Sequence, residues 1–418
     1  MKILSLFDGM ACGMLAMQAA GITVDRYVAF EIDKYAVQTS SHNFPMIEHR
    51  GDVFKADFTE FRGFDFLVGG SPCTYWSIAQ KNNRETEASG MGWELFSQYV
   101  RALREAQPMY FIYENNKSMS SAIRKSITQT FGFEPICINS ALVSAQKRQR
   151  LYWVGKRNPD GTYSKVRVDQ PEDRGILLRD VLDHAFALRE KANCLCANRG
   201  GTSLANDLKQ SQHNYGAEPT GIGYRGRMED GKWVKRYESN EEPKANALTT
   251  AQTDSMVAET VRVGALPRPN GELSTSQAFR VYSVEGKSVN ITAGGGGAGG
   301  KTGLYAIPVE FDGDVPAKAV SCADGKTYPV YEVKDGQITI KGKQYPIKLA
   351  DGFYIIRKLT VSECKRLQTV PEWYEFPVSD TQAYKMLGNG WTVEVIAHLI
   401  RATQAGEIEV EEEQLRWF

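Results

Sequence analysis

The chain has 418 residues, with 50 Lys plus Arg against 50 Asp plus Glu, so its formal net charge at pH 7 is zero. That length exceeds what one hydrophobic core usually organises, and two domains are expected. The balanced charge rules out a polyanion-binding surface built on global charge and confines any such surface to local clusters. Seven cysteines, an odd number without regular spacing, speak against a secreted disulfide scaffold and for a reducing compartment.

Ile3 to Phe7 reads as a strand, and Asp8 interrupts the apolar run before a signal-peptide core or membrane span could form. The expectation is a soluble, cytoplasmic protein. Asp8-Gly9-Met10-Ala11-Cys12-Gly13 follows as a glycine turn, then an amphipathic run through Leu15, Met17 and Ala20 that Gly21 ends. Such a strand, turn and helix aims backbone N–H groups at a ligand. It is no dinucleotide fingerprint, because the later glycines of that pattern are missing. A second strand, Arg26 to Phe30, ends in Glu31-Ile32-Asp33, where a carboxylate commonly accepts hydrogen bonds from a ribose. Alone, this pair would serve a nicotinamide enzyme equally well.

The strand Phe64 to Val68 runs into Gly69-Gly70-Ser71-Pro72-Cys73-Thr74-Tyr75-Trp76-Ser77, which places Cys73 on a stiff loop at the carboxyl edge of a sheet. A Pro-Cys pair by itself is weak, since buried cysteines mostly pack as small hydrophobes. The polar stretch Ser77 to Gly92 reads as a surface loop or, beside a nucleophile, as a lid. Helical spacing covers Trp93 to Ala106, and Pro108 precedes a strand, Tyr110 to Tyr113, that leads into Glu114-Asn115-Asn116. A helix over Ser118 to Gly132 and a strand over Phe133 to Val143 bring the chain to Gln146-Lys147-Arg148-Gln149-Arg150. A nucleophile, a carboxylic acid and two arginines at three successive strand edges would converge on one pocket.

From about His184 to Ala350 the composition shifts to glycine, serine, threonine and asparagine with short alternating strands such as Ile338 to Ile340. Lys191 to Cys196 and Lys244 to Thr249 resemble one another, and Ser288 to Thr292 is a looser third copy. Cys194-Leu195-Cys196 is too closely spaced and too poor in partner ligands for zinc. Gly294 to Gly300 reads as a flexible linker in preference to a loop that lets a phosphate backbone come close. Basic residues crowd two spans, one holding Lys147, Arg148, Arg150, Lys156 and Arg157, the other Arg225, Arg227, Lys232, Lys235 and Arg236. Val393 to Ala405 is a last helix, and Glu407 to Glu413 an acidic tail.

GGSPCTYWS around Cys73, ENN from Glu114 and QKRQR from Gln146 resemble, in the same order, the Pro-Cys, Glu-Asn-Val and Gln-x-Arg-x-Arg motifs of the DNA (cytosine-5)-methyltransferase family. Arg174 to Asp183, Arg357 to Gln368 and Ser379 to Trp391 resemble its later motifs. The resemblance implies an α/β fold: a Rossmann-like sheet of the S-adenosylmethionine-dependent methyltransferases with an inserted, mostly β target-recognition domain. Expected boundaries are 1–183 for the catalytic domain, 184–376 for target recognition and hinge, and 377–418 for the returning segment. It assigns Phe7, Asp8, Gly9, Met10, Ala11, Glu31, Ile32, Asp52, Val53, Pro72, Asn389, Gly390 and Trp391 to S-adenosylmethionine. Ala11 and Cys12 stand where many members carry glycines. Gly390 and Trp391 replace the more frequent Ser-Val, and the tryptophan at that place resembles the eukaryotic de novo branch.

The implied chemistry is covalent. Cys73 thiolate adds to carbon 6 of cytosine, Glu114 acts at ring nitrogen 3, Arg150 holds the carbonyl oxygen and orients Glu114, and Arg148 with Arg150 favours the thiolate. Ser77, Lys81, Arg225 and Arg227 are the expected DNA contacts. The partner is double-stranded DNA bound by a monomer at the nucleoid, with no metal and no membrane; a restriction endonuclease partner, phage service and independent work all stay open. An RNA cytosine methyltransferase and a non-catalytic DNA-binding regulator are the alternatives.

Overall fold

β1 (Lys2–Leu6), β2 (Arg26–Phe30), β4 (Phe66–Gly69) and β5 (Tyr110–Asn116) are near-continuous apolar runs because both faces of their sheet are covered. Ile3, Leu4, Val28, Leu67, Phe111 and Tyr113 are fully buried. The computed structural model describes residues 1–72, 75–76, 84–183, 222–229, 232–239, 260–274, 276–293, 302–309, 319–322, 326–406 and 408. They fall in two units. One holds Met1–Arg174, Ser288–Gly303 and Leu359–Phe418; the other holds Gly175–Lys287 and Leu304–Lys358.

With β3 (Glu48–His49), β6 (Ile136–Asn139), β7 (Gln149–Arg157) and β8 (Tyr163–Lys165), the first unit forms an eight-stranded sheet in the order β3-β2-β1-β4-β5-β7-β6, β8 pairing with β7. Pairing is parallel from β3 to β5, and β7 runs antiparallel to both β5 and β6. The chain order reverses between β1 and β4, and ligands bind outside the carboxyl ends of strands at such a point. The helices of this unit are α1 (Cys12–Ala19), α2 (Lys34–Asn43), α3 (Gly90–Ala106), α4 (Ser121–Phe131), α5 (Val361–Leu367), α6 (Asp380–Asn389) and α7 (Val393–Ala405).

Local chemistry moves several expected boundaries. α3 begins three residues before Trp93, where Glu85 accepts the Gly92 N–H. α4 begins after Ser120, whose hydroxyl caps the Ile123 N–H. The strand expected over Phe133 to Val143 contracts to β6, because Asn139 accepts the Ala141 N–H and turns the chain into a 3-10 segment at Ser140–Leu142. By contacts, Ser288–Gly303 and Leu359–Phe418 group with the first unit.

The second unit contains the antiparallel pair β9 (Ile222–Glu229) and β10 (Lys232–Ser239). Its eight-stranded sheet comprises β11 (Arg262–Ala265), β12 (Arg280–Ser283), β13 (Leu304–Val309), β14 (Ala319–Ser321), β15 (Thr327–Lys334), β16 (Gln337–Ile340), β17 (Lys343–Pro346) and β18 (Gly352–Arg357). The order is β11-β12-β13-β18-β15-β16-β17, with β14 on β15. Val281, Val333 and Ile338 lie in its core. Cys73, Ser77, Lys81, the segments at 191–196 and 244–249, and the Gly294 to Gly300 run lie outside the described residues. Among the described residues no helix is long and apolar enough to cross a membrane, and no cluster of His, Cys, Asp and Glu could hold a metal ion.

Candidate active site

β1 delivers the chain into a turn with left-handed residues at Phe7 (φ 57), Gly9 (φ 59) and Ala11 (φ 60). Ala11 caps α1 in that conformation without a side-chain bond, where glycine would be unstrained. Glu31, just past β2, accepts the Gly9 N–H on Oε2 at 2.8 Å and the Ile32 and Asp33 N–H groups on Oε1 at 2.8 Å each. It thereby ties the two strand ends together. Asp33 caps α2 through the Tyr35 N–H and pairs with Lys385 of α6 at 2.6 Å. Asp8 accepts the Ser5 and Tyr27 hydroxyls on Oδ1 at 2.6 Å each, while its buried Oδ2 has no partner. Burial pushes the Asp8 carboxyl up to about 6; the two hydroxyl bonds pull the other way, and Glu31 adds to the rise.

These groups border a cleft of about 460 Å³. Of the expected residues, Phe7, Asp8, Gly9, Glu31, Ile32, Pro72, Glu114, Arg148, Arg150, Asn389, Gly390 and Trp391 line it. Met10, Ala11, Asp52 and Val53 do not. Met10 and Ala11 are buried behind the turn, Val53 is in the core, and the Asp52 carboxylate caps the Phe54 N–H. Asp33, Ser71, Lys385 and Cys12 line the cleft without having been expected there. Asp33 was traceable as the acidic residue opening a helix; nothing in the sequence pairs it with Lys385. Burial pushes the Cys12 thiol up to about 12, against the opposing Trp391 backbone N–H.

The other wall is built from β4, β5 and β7. A Cβ at Gly70 would stand 2.8 Å from both the carbonyl oxygen and Oε2 of Glu114, so only glycine lets the turn toward Pro72 pass so close. Asn115 donates to the Ser71 carbonyl at 3.2 Å and to the Tyr113 hydroxyl at 3.1 Å, and Ser71 Oγ meets that hydroxyl at 2.7 Å. This lock on the turn was not foreseen, although Asn115 sits inside the ENN motif. Register puts Glu114 opposite Tyr152 and Asn116 opposite Arg150, so Glu114 and Arg150 are diagonal neighbours. Arg150 Nε lies 2.9 Å from Glu114 Oε1, and Trp391 Nε1 donates to Oε2 at 3.1 Å.

Arg148 is 3% exposed. Its guanidinium donates to Asn290 Oδ1 at 2.9 Å, the Gly388 carbonyl at 3.2 Å and the Gly390 carbonyl at 2.8 Å. These bonds hold the α6–α7 turn against β7. Beyond Pro72, Arg84 donates to the Trp76 and Ser118 carbonyls, and Glu85 accepts the Trp76 indole N–H at 3.0 Å.

The carboxylates of Asp8, Glu31 and Asp33, the first with its buried Oδ2 unpartnered, border the cleft with the 78% exposed Ile32 and fit a ligand that carries cationic centres and an apolar ring. Sheet order and cleft together define the fold of an S-adenosylmethionine-dependent methyltransferase. Residues 1–405 match the profile of the C-5 cytosine-specific DNA methylases, and the chain belongs to that family, whose methyl donor is S-adenosylmethionine. It is 25% identical to the orphan methyltransferase M.SPRI of Bacillus phage SPR, over 96% of this chain and 97% of that protein. Identity to the type II methyltransferase M.HhaI of Haemophilus parahaemolyticus is 22%, over 96% and 93%. The orphan methyltransferase M.Rho11sI of Bacillus phage rho11s is 26% identical over 78% of this chain, a match spanning 65% of that protein. A solved DNMT2 variant of Spodoptera frugiperda shares the fold, with a TM-score of 0.53 at 16% identity, covering 96% of this chain and 98% of that one.

Proposed function

We propose that this chain methylates carbon 5 of a cytosine extruded from a specific duplex DNA sequence, through a covalent adduct on Cys73. The observation that carries the reading is the Glu114 carboxylate, held by Arg150 and Trp391 on the cleft that also contains Asp8 and Glu31, beside the glycine that leads to Pro72 and Cys73. Cytosine is a poor nucleophile at carbon 5 until its aromaticity is broken. Cys73 thiolate adds to carbon 6, and Glu114 carries a proton to ring nitrogen 3, which makes the ring accept the sulfur. Arg150 orients Glu114 and meets the carbonyl oxygen of the base. S-adenosylmethionine, when bound by Asp8, Glu31 and the Phe7–Gly9 turn, supplies an electrophilic methyl group. Once carbon 5 is methylated it loses its proton to a solvent water, nitrogen 3 returns its proton to Glu114, and the thiolate leaves carbon 6.

A stacked base cannot reach such a cleft, so the target must be flipped out. The second unit, with Arg225 and Arg227 on β9, supplies the grip on the duplex, together with Ser77 and Lys81 after the nucleophile. Arg148 acts by positioning the α6–α7 turn. The protein works as a monomer on DNA in the cytoplasm. Its relatives' names span orphan and type II methyltransferases, so a cognate endonuclease is not part of the proposal.

Cys73→Ser should abolish methyl transfer while DNA binding persists, read by labelled methyl incorporation and by a binding isotherm. Wild-type incorporation by that variant would sink the nucleophile. Incorporation into transfer RNA and not into duplex DNA would replace the substrate.

A further inference from the structure

The indole of Trp391 has two faces to its work. Its ring lines the cleft, and its Nε1–H donates to Glu114 Oε2 at 3.1 Å while Arg150 Nε holds Oε1 at 2.9 Å. The glutamate is thus gripped at both oxygens, from β7 on one side and from the α6–α7 turn on the other. That turn is itself fixed. The Gly390 carbonyl accepts from Arg148 and from Gln368, and Gln368 Oε1 accepts the Thr392 hydroxyl at 2.9 Å. A Cβ at Gly390 would press to 3.0 Å from the Met386 carbonyl and 3.2 Å from Cys12 Sγ, so the turn has little freedom to shift.

We propose that Trp391 is a positioning residue for Glu114: through its indole N–H it holds the carboxylate in the orientation that meets ring nitrogen 3, so one side chain serves both the donor cleft and activation of the base. This rests on the cytosine-methylation reading of the same site. A hydrogen bond to a charged group is among the stronger ones, and a carboxylate with one oxygen released is free to rotate away from its target.

Trp391→Phe keeps an aromatic ring and removes the N–H. Two measurements separate the roles. The first is exchange of tritium from carbon 5 of cytosine in duplex DNA without any methyl donor. There Cys73 adds to carbon 6, nitrogen 3 is protonated, carbon 5 takes up a solvent proton and releases tritium, and the thiolate leaves, with no net change in the base. The second is S-adenosylmethionine affinity by calorimetry. Exchange should fall on the order of tenfold to a hundredfold, with donor affinity within about threefold of wild type. Wild-type exchange with weakened donor binding would reduce Trp391 to a cleft wall and overturn the proposal. If both fall, the variant is repeated in a Glu114→Gln background: an undiminished effect there overturns it, and loss of the effect supports it. A wild-type protein that neither exchanges tritium nor methylates DNA would instead reject the underlying reading of the site.

Discussion

A carboxylate that is 8% exposed, takes two hydroxyl bonds on one oxygen and has no partner for the other is costly to ionise. Asp8 is such a group, and burial raises it from the ordinary carboxylate range to about 6. The folded state therefore binds its proton more tightly than the unfolded chain does. Below about pH 4 both states are protonated and Asp8 has no pH-dependent effect; as pH rises through 6 stability falls, and the loss levels off at about 3 kcal/mol. Asp8→Asn cannot ionise, so its stability relative to wild type should climb by roughly that amount between pH 4 and 7, measured by urea unfolding across the range. A flat difference would refute the buried, titrating carboxylate. A cationic donor beside Oδ2 would reverse the cost, which gives a reason for such a group to stand in a cofactor cleft. The motif placed Asp8 there, but its bonds to Ser5 and Tyr27 depend on the pairing of two strands and are invisible along the chain.

At the scale of elements, Arg148 joins three pieces that are far apart in sequence: β7, the Ser288–Gly303 segment and the end of α6. The segment comes very near α6, since a Cβ at Gly388 would meet the Thr292–Ala293 backbone within 2.5 Å. Removing the guanidinium would leave buried acceptors without donors. Arg148→Met should lose about 3 to 5 kcal/mol of stability, and Arg148→Lys should recover only part, because an ammonium cannot reproduce the fork. Wild-type unfolding of the lysine variant would show that charge and not the fork is what matters. Sequence reading found the strands, the glycine-ended helices and the order of the motifs, since apolar runs and helix stops are local signals. It expected Arg148 to favour a thiolate because a motif gives identity and order without hydrogen-bond partners. The place of Ser288 was equally hidden. Its N–H donates to the Ala145 carbonyl and its carbonyl accepts the Lys147 N–H, and main-chain pairing across more than a hundred residues leaves no side-chain pattern. The antiparallel course of β7 was hidden for the same reason, as periodicity carries no direction.

For the whole molecule, zero net charge means that nothing but a local surface can hold a polyanion. The β9–β10 pair supplies a candidate, because its register sets Arg225 opposite Arg236, although Lys232 stands opposite the oppositely charged Glu229. Like charges directly opposite on a strand pair destabilise it, unless an anion of the ligand comes between them. Each phosphate contact contributes about 0.9 to the slope of log affinity against log salt on duplex DNA. Arg225→Gln combined with Arg236→Gln should weaken binding to all duplex sequences alike and lower that slope by up to about 2, measured by fluorescence anisotropy over a salt series. Donor affinity should stay at the wild-type value, because every residue lining the cleft belongs to the first unit. An unchanged slope would remove the hairpin from the DNA interface; a slope unchanged at one sequence and altered at others would make these arginines readers of bases instead of holders of the backbone.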